Sequence, residues 1–195
     1  QYDSSICQYH ERRTEICGRC AEVCPTVAIL KEDETKHLVF SAIDCTNCGN
    51  CISVCPSGSL DSTLMPQSSF ATIAKLYKDK IALIVSEEIN LEELSVSLPQ
   101  NVLPFVILAP HLLSQTHFLT LLQESGASVI LYSKSLGKGE KDAISILNQI
   151  YELKFKEQAI HHAKDKAELE IALKKAKLID GSQHSINEYA LSKRE

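Results

Sequence analysis

What this 195-residue chain lacks narrows its chemistry before any motif is considered. No stretch approaches the roughly 18 uncharged apolar residues that a membrane helix requires, so the expectation is a soluble protein with no direct membrane span. Basic residues are not in excess: 20 Lys and Arg stand against 25 Asp and Glu, for a net charge of -5. A surface that holds nucleic acid needs a concentrated positive face, so no nucleic-acid partner is expected. The first residues form no cleavable signal segment, which points to the cytoplasm and away from the oxidising compartments where cysteines pair as disulfides. Cysteine is absent from all 140 positions after Cys55, so whatever the eight cysteines do is one local task. The chain opens with Gln1 rather than Met, and its single methionine is Met65, as expected of a piece of a longer polypeptide.

What is present divides into two parts. Apolar residues at 44% and charged residues at 23% are ordinary globular composition. Residues 1–62 carry nine acids and five bases, whereas residues 63–195 carry sixteen and fifteen, so the acidity lies with the cysteines and suits docking to a basic patch on a redox partner. The turn-rich Pro56-Ser57-Gly58-Ser59 closes the first part. The expected division is a cysteine domain over 1–62, a linker and helix over 63–80, an α/β domain over 81–180 and a polar tail over 181–195, with Gly181 as a helix stop. The helix is expected over Ser68–Lys80, capped by Ser68 or Ser69, with Phe70, Ile73, Ala74, Leu76 and Tyr77 on one face.

Beyond it, apolar runs at Ile81–Val85, Leu103–Ala109, Ala127–Tyr132 and Ala159–His161 alternate with helical patterns over Leu91–Ser97, Leu112–Glu124, Glu140–Leu153 and Asp165–Lys177. Parallel neighbours need a crossover, and burial on both faces makes their strands continuously apolar. The alternation therefore predicts a small α/β domain with a parallel sheet of about four strands.

The densest signal is Cys45-Thr-Asn-Cys48-Gly-Asn-Cys51-Ile-Ser-Val-Cys55-Pro56, an unbroken C-x2-C-x2-C-x3-C-P. Three thiolates so close together wrap one face of an iron–sulfur cubane, Gly49 gives the backbone room to approach the sulfides, and the fourth cysteine, before a proline, turns toward another cluster. An earlier Cys17-Gly18-Arg19-Cys20-Ala-Glu-Val-Cys24-Pro25 repeats the pattern, with Ala28–Leu30 and Leu38–Ser41 flanking the polar Lys31–Lys36 as a short hairpin between them.

Over about residues 5–62 the chain resembles the bacterial two-cluster ferredoxins. The resemblance implies an α+β ferredoxin-like domain holding two 4Fe-4S clusters, one bound by Cys7, Cys17, Cys20 and Cys55, the other by Cys45, Cys48, Cys51 and Cys24. The family's first cysteine of motif one would fall at position 14, which is Thr14, so Cys7 must substitute across the charged excursion Gln8–Ile16 with His10, Glu11, Arg12, Arg13 and Glu15. The alternatives at cluster one are a [3Fe-4S] cluster without the Cys7 bond, or ligation through His10. Zinc also uses C-x2-C pairs, but three ligands within seven residues crowd a tetrahedral ion and fit a cubane corner. Asp44 beside Cys45 and Glu22 between Cys20 and Cys24 are expected to push the potentials low, because reduction adds negative charge.

The expected function is passage of single electrons to or from a partner oxidoreductase such as a dehydrogenase or hydrogenase. A ferredoxin segment followed by a small α/β module is similar to iron–sulfur subunits of hydrogenase and heterodisulfide-reductase complexes. The alternative is an oxidoreductase subunit whose α/β domain binds a flavin or nucleotide. Against it, Ser133-Lys-Ser-Leu-Gly137-Lys138-Gly139-Glu140 lacks the earlier glycine and the Ser or Thr of a phosphate loop, and reads as a solvated strand-to-helix loop. His111 and His117 read as surface or capping residues, and His161–His162 lacks a ligand partner at useful spacing. Leu119, Leu121, Leu122, Ile144, Ile146, Leu147 and Ile150 are expected in the core.

Overall fold

The structure is a computed structural model that describes residues 1–11, 17–87, 89 and 96–182. Thr14, most of the helix expected over Leu91–Ser97, and residues 183–195 of the expected tail lie outside the described residues.

Among the described residues the N-terminal part is built from a 3-10 turn at Ser4–Ile6, two short α-helical turns and one hairpin. Helix α1 spans Arg19–Glu22 and α2 spans Asn50–Ser53. Both stop for the same reason: a proline disfavours helical backbone at the residue before it, so Cys24 before Pro25 and Cys55 before Pro56 leave the helix. Strands β1 (Ile29–Glu32) and β2 (His37–Phe40) pair antiparallel, with Ile29 opposite Phe40 and Glu32 opposite His37. The expected hairpin is therefore present. Tyr2 bridges Leu60, and Asp3 N–H donates to Ser59 O at 2.8 Å, which closes this part on itself.

The second part is a four-stranded parallel sheet in the order β4-β3-β5-β6, from β3 (Ile81–Ser86), β4 (Val102–Ile107), β5 (Val129–Tyr132) and β6 (Ile160–Ala163). Strand β3 is central, and its residues 81–85 are all buried, as a strand covered on both faces must be. Its period of two splits the core. Ala82 and Ile84 face the layer of α3 (Gln67–Ala74), α4 (Gln115–Ser125) and α5 (Lys138–Phe155), packing with Phe70, Phe118, Leu121, Leu122, Leu147 and Tyr151. Ile81, Leu83 and Val85 face the other way, toward Leu169 and Ala172 of α6 (Lys166–Lys175). The chain thus has an α+β first part and a parallel α/β second part.

Several local expectations are corrected. Helix α3 starts after Pro66, and its first N–H groups are served from upstream: Gln67 N–H lies 3.2 Å from both oxygens of Asp61, so neither Ser68 nor Ser69 is the cap. Helix α6 ends at Lys175, and Gly181, at φ +74°, lies beyond it in a turn, so it stops no helix. On α5 the core stripe is Ala143, Leu147 and Tyr151. Ile146 and Ile150, expected inside, are 43% and 49% exposed because they lie one residue off that stripe.

Candidate metal centre

The two cysteine motifs fold locally alike. Each helical turn is preceded by a glycine, Gly18 or Gly49, whose carbonyl accepts the first helical hydrogen bonds from Ala21 and Glu22 or from Ile52 and Ser53. Each Cys-Pro then enters a tight turn: Val27 N–H donates to Cys24 O at 3.3 Å, and Gly58 N–H to Cys55 O at 3.4 Å. The residue closing each turn is left-handed, Val27 at φ +56° and Gly58 at φ +66°. Each turn sets a hydroxyl beside its sulfur, Thr26 Oγ1 3.7 Å from Cys24 Sγ and Ser57 Oγ 3.7 Å from Cys55 Sγ. Ala28 N–H also donates to Cys24 Sγ at 3.2 Å, and Asn50 Nδ2 lies 3.6 Å from Cys48 Sγ.

The turns sort the sulfurs. Cys24, Cys45, Cys48 and Cys51 line a cavity of about 630 Å³, so Cys24 leaves its own motif and joins the second. Cys7, Cys17, Cys20 and Cys55 line another, tighter cavity, which Cys55 reaches from the opposite motif. All eight thiols are free, none in a disulfide. His10 does not line the second cavity; its Nε2 is 3.6 Å from the Glu11 carboxylate.

The donor chemistry suits iron–sulfur clusters. Burial pushes the Cys20 thiol up to about 12, and Cys55, Cys17 and Cys51 add to the rise. Burial pushes Cys51 up to about 11, with Cys48, Cys45 and Cys24 adding to it. Cys7 and Cys24 shift the other way: burial raises each thiol, but hydrogen bonds to sulfur, led by Tyr2 at Cys7 and Thr26 at Cys24, outweigh it and lower the pKa. Cys20 and Cys51 would give up their protons to a cationic metal, which offsets both the burial and the mutual repulsion of thiolates. The N–H and O–H groups aimed at sulfur are the contacts by which a protein tunes a cluster's potential. Glu22 and Asp44 are both exposed, so water and salt attenuate the field through which they were expected to act.

The second motif is also covered by the α/β part. His111 N–H donates to Cys48 O at 2.9 Å. A Cβ added to Gly49, at φ +85°, would meet the backbone of Leu112 at 2.8 Å, so this glycine makes room for the neighbouring loop. A Cβ on Gly139 would lie 2.6 Å from the Ser53 carbonyl carbon, and one on Gly137 would fall on the Asn50 side chain. The segment read as a solvated loop is therefore packed on α2. Behind it, Glu140 is fully buried and joins the pieces: Oε2 accepts from Gly137 N–H at 2.8 Å and lies 3.1 Å from His111 Nδ1. His111 and Glu140 were missed as positioning residues. The signal present in the sequence was the pair of glycines flanking Lys138, which also mark close backbone approach. His117 is a capping residue as expected, with Ser114 Oγ 2.8 Å from its Nδ1. His161 is buried and His162 Nε2 lies 2.9 Å from Ser133 O.

The loops that reach α2 leave the carboxyl ends of β4 and β5, the edge at which open parallel sheets ordinarily receive ligands. Here part of that edge receives the second cysteine motif. No helix among the described residues is long and apolar enough to cross a membrane. Neither curated proteins nor solved structures give a match to the chain. Residues 5–59 match the family model of a 4Fe-4S dicluster domain, and this part of the chain is an iron–sulfur, ferredoxin-like segment.

Proposed function

We propose that the protein passes single electrons to or from a partner oxidoreductase through two 4Fe-4S clusters, one held by Cys7, Cys17, Cys20 and Cys55 and the other by Cys24, Cys45, Cys48 and Cys51. The observation that carries this reading is the sorting of the eight thiols, four to each cavity, with Cys24 and Cys55 exchanged between motifs. Two clusters on one small domain form a stepping path in which the protein sets potential by burial and hydrogen bonds to sulfur. The protein needs no substrate chemistry of its own for this role. The α/β part acts as a cover and docking platform for the second cluster, and the domain division near residue 63 belongs to the same proposal. The acidic first part supplies the face for a basic partner.

Anaerobic iron and acid-labile sulfide analysis with EPR of the dithionite-reduced protein tests the proposal. About eight of each with coupled signals is the expected result; about seven irons with an oxidised three-iron signal would remove Cys7 as a ligand. Cys48→Ser should leave roughly half the iron, with the set containing Cys7 intact. Unchanged iron in that variant contradicts the ligand assignment, and flavin or nucleotide copurifying in stoichiometric amount would favour the enzyme-subunit alternative.

A further inference from the structure

Two histidines and a glutamate meet on the surface beside the first motif, outside both thiol cavities. His10 Nε2 lies 3.6 Å from Glu11 Oε1, and His37 Nε2 lies 3.7 Å from the same oxygen. The two imidazoles stack with centroids 4.5 Å apart and an interplanar angle of 16°. The three donor atoms lie within 4.8 Å of one another. They come from separate segments that the backbone fixes together, because Glu11 N–H donates to Lys36 O at 3.1 Å, immediately before β2 begins at His37.

These separations are too long for the carboxylate to hydrogen-bond either ring. They are close to the spacing of ligands around one ion. A tetrahedral ion bound at about 2.0–2.1 Å has ligand–ligand edges of about 3.3–3.4 Å, so each nitrogen–oxygen pair needs to close by only a few tenths of an ångström. The larger adjustment is a rotation of the stacked rings so that both Nε2 lone pairs converge. Two imidazoles and one carboxylate form a donor set for zinc-type ions, whereas magnesium and calcium require mostly oxygen. Side-chain exposures of 21% for His10, 44% for His37 and 72% for Glu11 leave the fourth position open to water.

We propose that His10, Glu11 and His37 form a site for one divalent ion of the zinc class, distinct from the cluster cavities. Bound there, the ion ties the excursion between Cys7 and Cys17 to the β1–β2 hairpin.

The test is zinc titration of the full-length, iron-loaded protein by calorimetry, with zinc-edge X-ray absorption on the complex. One equivalent should bind with a shell of nitrogen and oxygen near about 2.0–2.1 Å. His37→Ala and Glu11→Gln, which leave every cysteine in place, should each weaken binding at least about tenfold, since loss even of a second-sphere partner costs that much. Iron and sulfide content should be unchanged in both. A sulfur shell near about 2.3 Å would mean that zinc has entered the thiol cavities and would overturn the proposal. So would the absence of binding, or an affinity that neither substitution alters.

Discussion

Gly18 and Gly49 hold equivalent places in the two cysteine motifs, each just before a four-residue helical turn, yet they face different neighbours. The three atoms nearest a Cβ at Gly18 all belong to the Lys31 side chain, Nζ the closest at 3.0 Å, and the backbone there, at φ -168°, is outside the left-handed region. A Cβ at Gly49 would strike the Leu112 backbone at 2.8 Å from a left-handed φ of +85°. The first motif can therefore give way by moving a flexible side chain. The second is built into the α/β part, through His111 N–H on Cys48 O and through Gly139 on Ser53. Two near-copies of one motif have been placed under different constraints, and the difference lies in what packs outside them.

The largest expected effect breaks this contrast directly. Gly49→Ala combines a left-handed conformation for a residue with a Cβ and a clash with main chain that cannot swing aside, a loss of about 3–5 kcal/mol. Gly18→Ala should cost less than about 1 kcal/mol, because lysine rotamers relieve it. Thermal unfolding followed by circular dichroism should show a drop on the order of 10 °C for the first and little change for the second. Equal drops would mean that the α/β part does not constrain the second motif.

Acid offers a somewhat smaller lever on the same support. The loop that covers Gly49 runs into α4, where His117 Nδ1 accepts from Ser114 N–H at 3.2 Å, and burial lowers the His117 pKa from 6.5 to about 4, opposed weakly by Asp61. Between those values the unfolded chain binds the proton and the folded chain does not, so stability rises with pH across this window and is lost as pH falls from 6.5 toward 4. The full span is worth about 3 kcal/mol at 1.36 kcal/mol per unit. Urea midpoints measured from pH 7 to pH 4 should fall, and His117→Gln should flatten the difference. An unchanged slope in that variant would assign the acid sensitivity to other groups.

Most of the fold was legible because its signals are local. The β3 run Ile81–Val85 is continuously apolar because both faces are covered, and Cys24-Pro25 and Cys55-Pro56 announce where each short helix must end. The ligand sets implied by the resemblance group the cysteines as the two cavities do, four lining each. What failed depended on contacts between distant segments. The second role of Gly49, admitting the Leu112 backbone, and the packing of Gly137 and Gly139 on α2 were not legible, because the sequence does not show that residues 111–112 and 137–139 close over α2. The buried Glu140, joined to His111 across 29 positions, is invisible for the same reason. On α5, Ile146 and Ile150 are as apolar as Leu147, and only the docking angle of the helix decides which stripe is buried.

The smallest predicted effect sharpens the comparison at the other end of each motif. Val27 and Gly58 close equivalent Cys-Pro turns at φ +56° and +66°, a conformation costly for a β-branched residue and free for glycine. Val27 is 64% exposed, so its side chain contributes little burial to offset the strain. Strain of about 1–3 kcal/mol, less the 0.5–1 kcal/mol of extra unfolded-state freedom that glycine brings, leaves a net gain of about 1 kcal/mol for Val27→Gly. Gly58→Val should lose about 1–3 kcal/mol. If both shifts appear in chemical denaturation with iron content unchanged, the two turns are equivalent in backbone demand. The first motif then carries strain that the second does not. If Val27→Gly instead loses iron, the restricted backbone at residue 27 is needed to hold Cys24 in the cavity of the second motif, and the two turns differ in role as well as in residue.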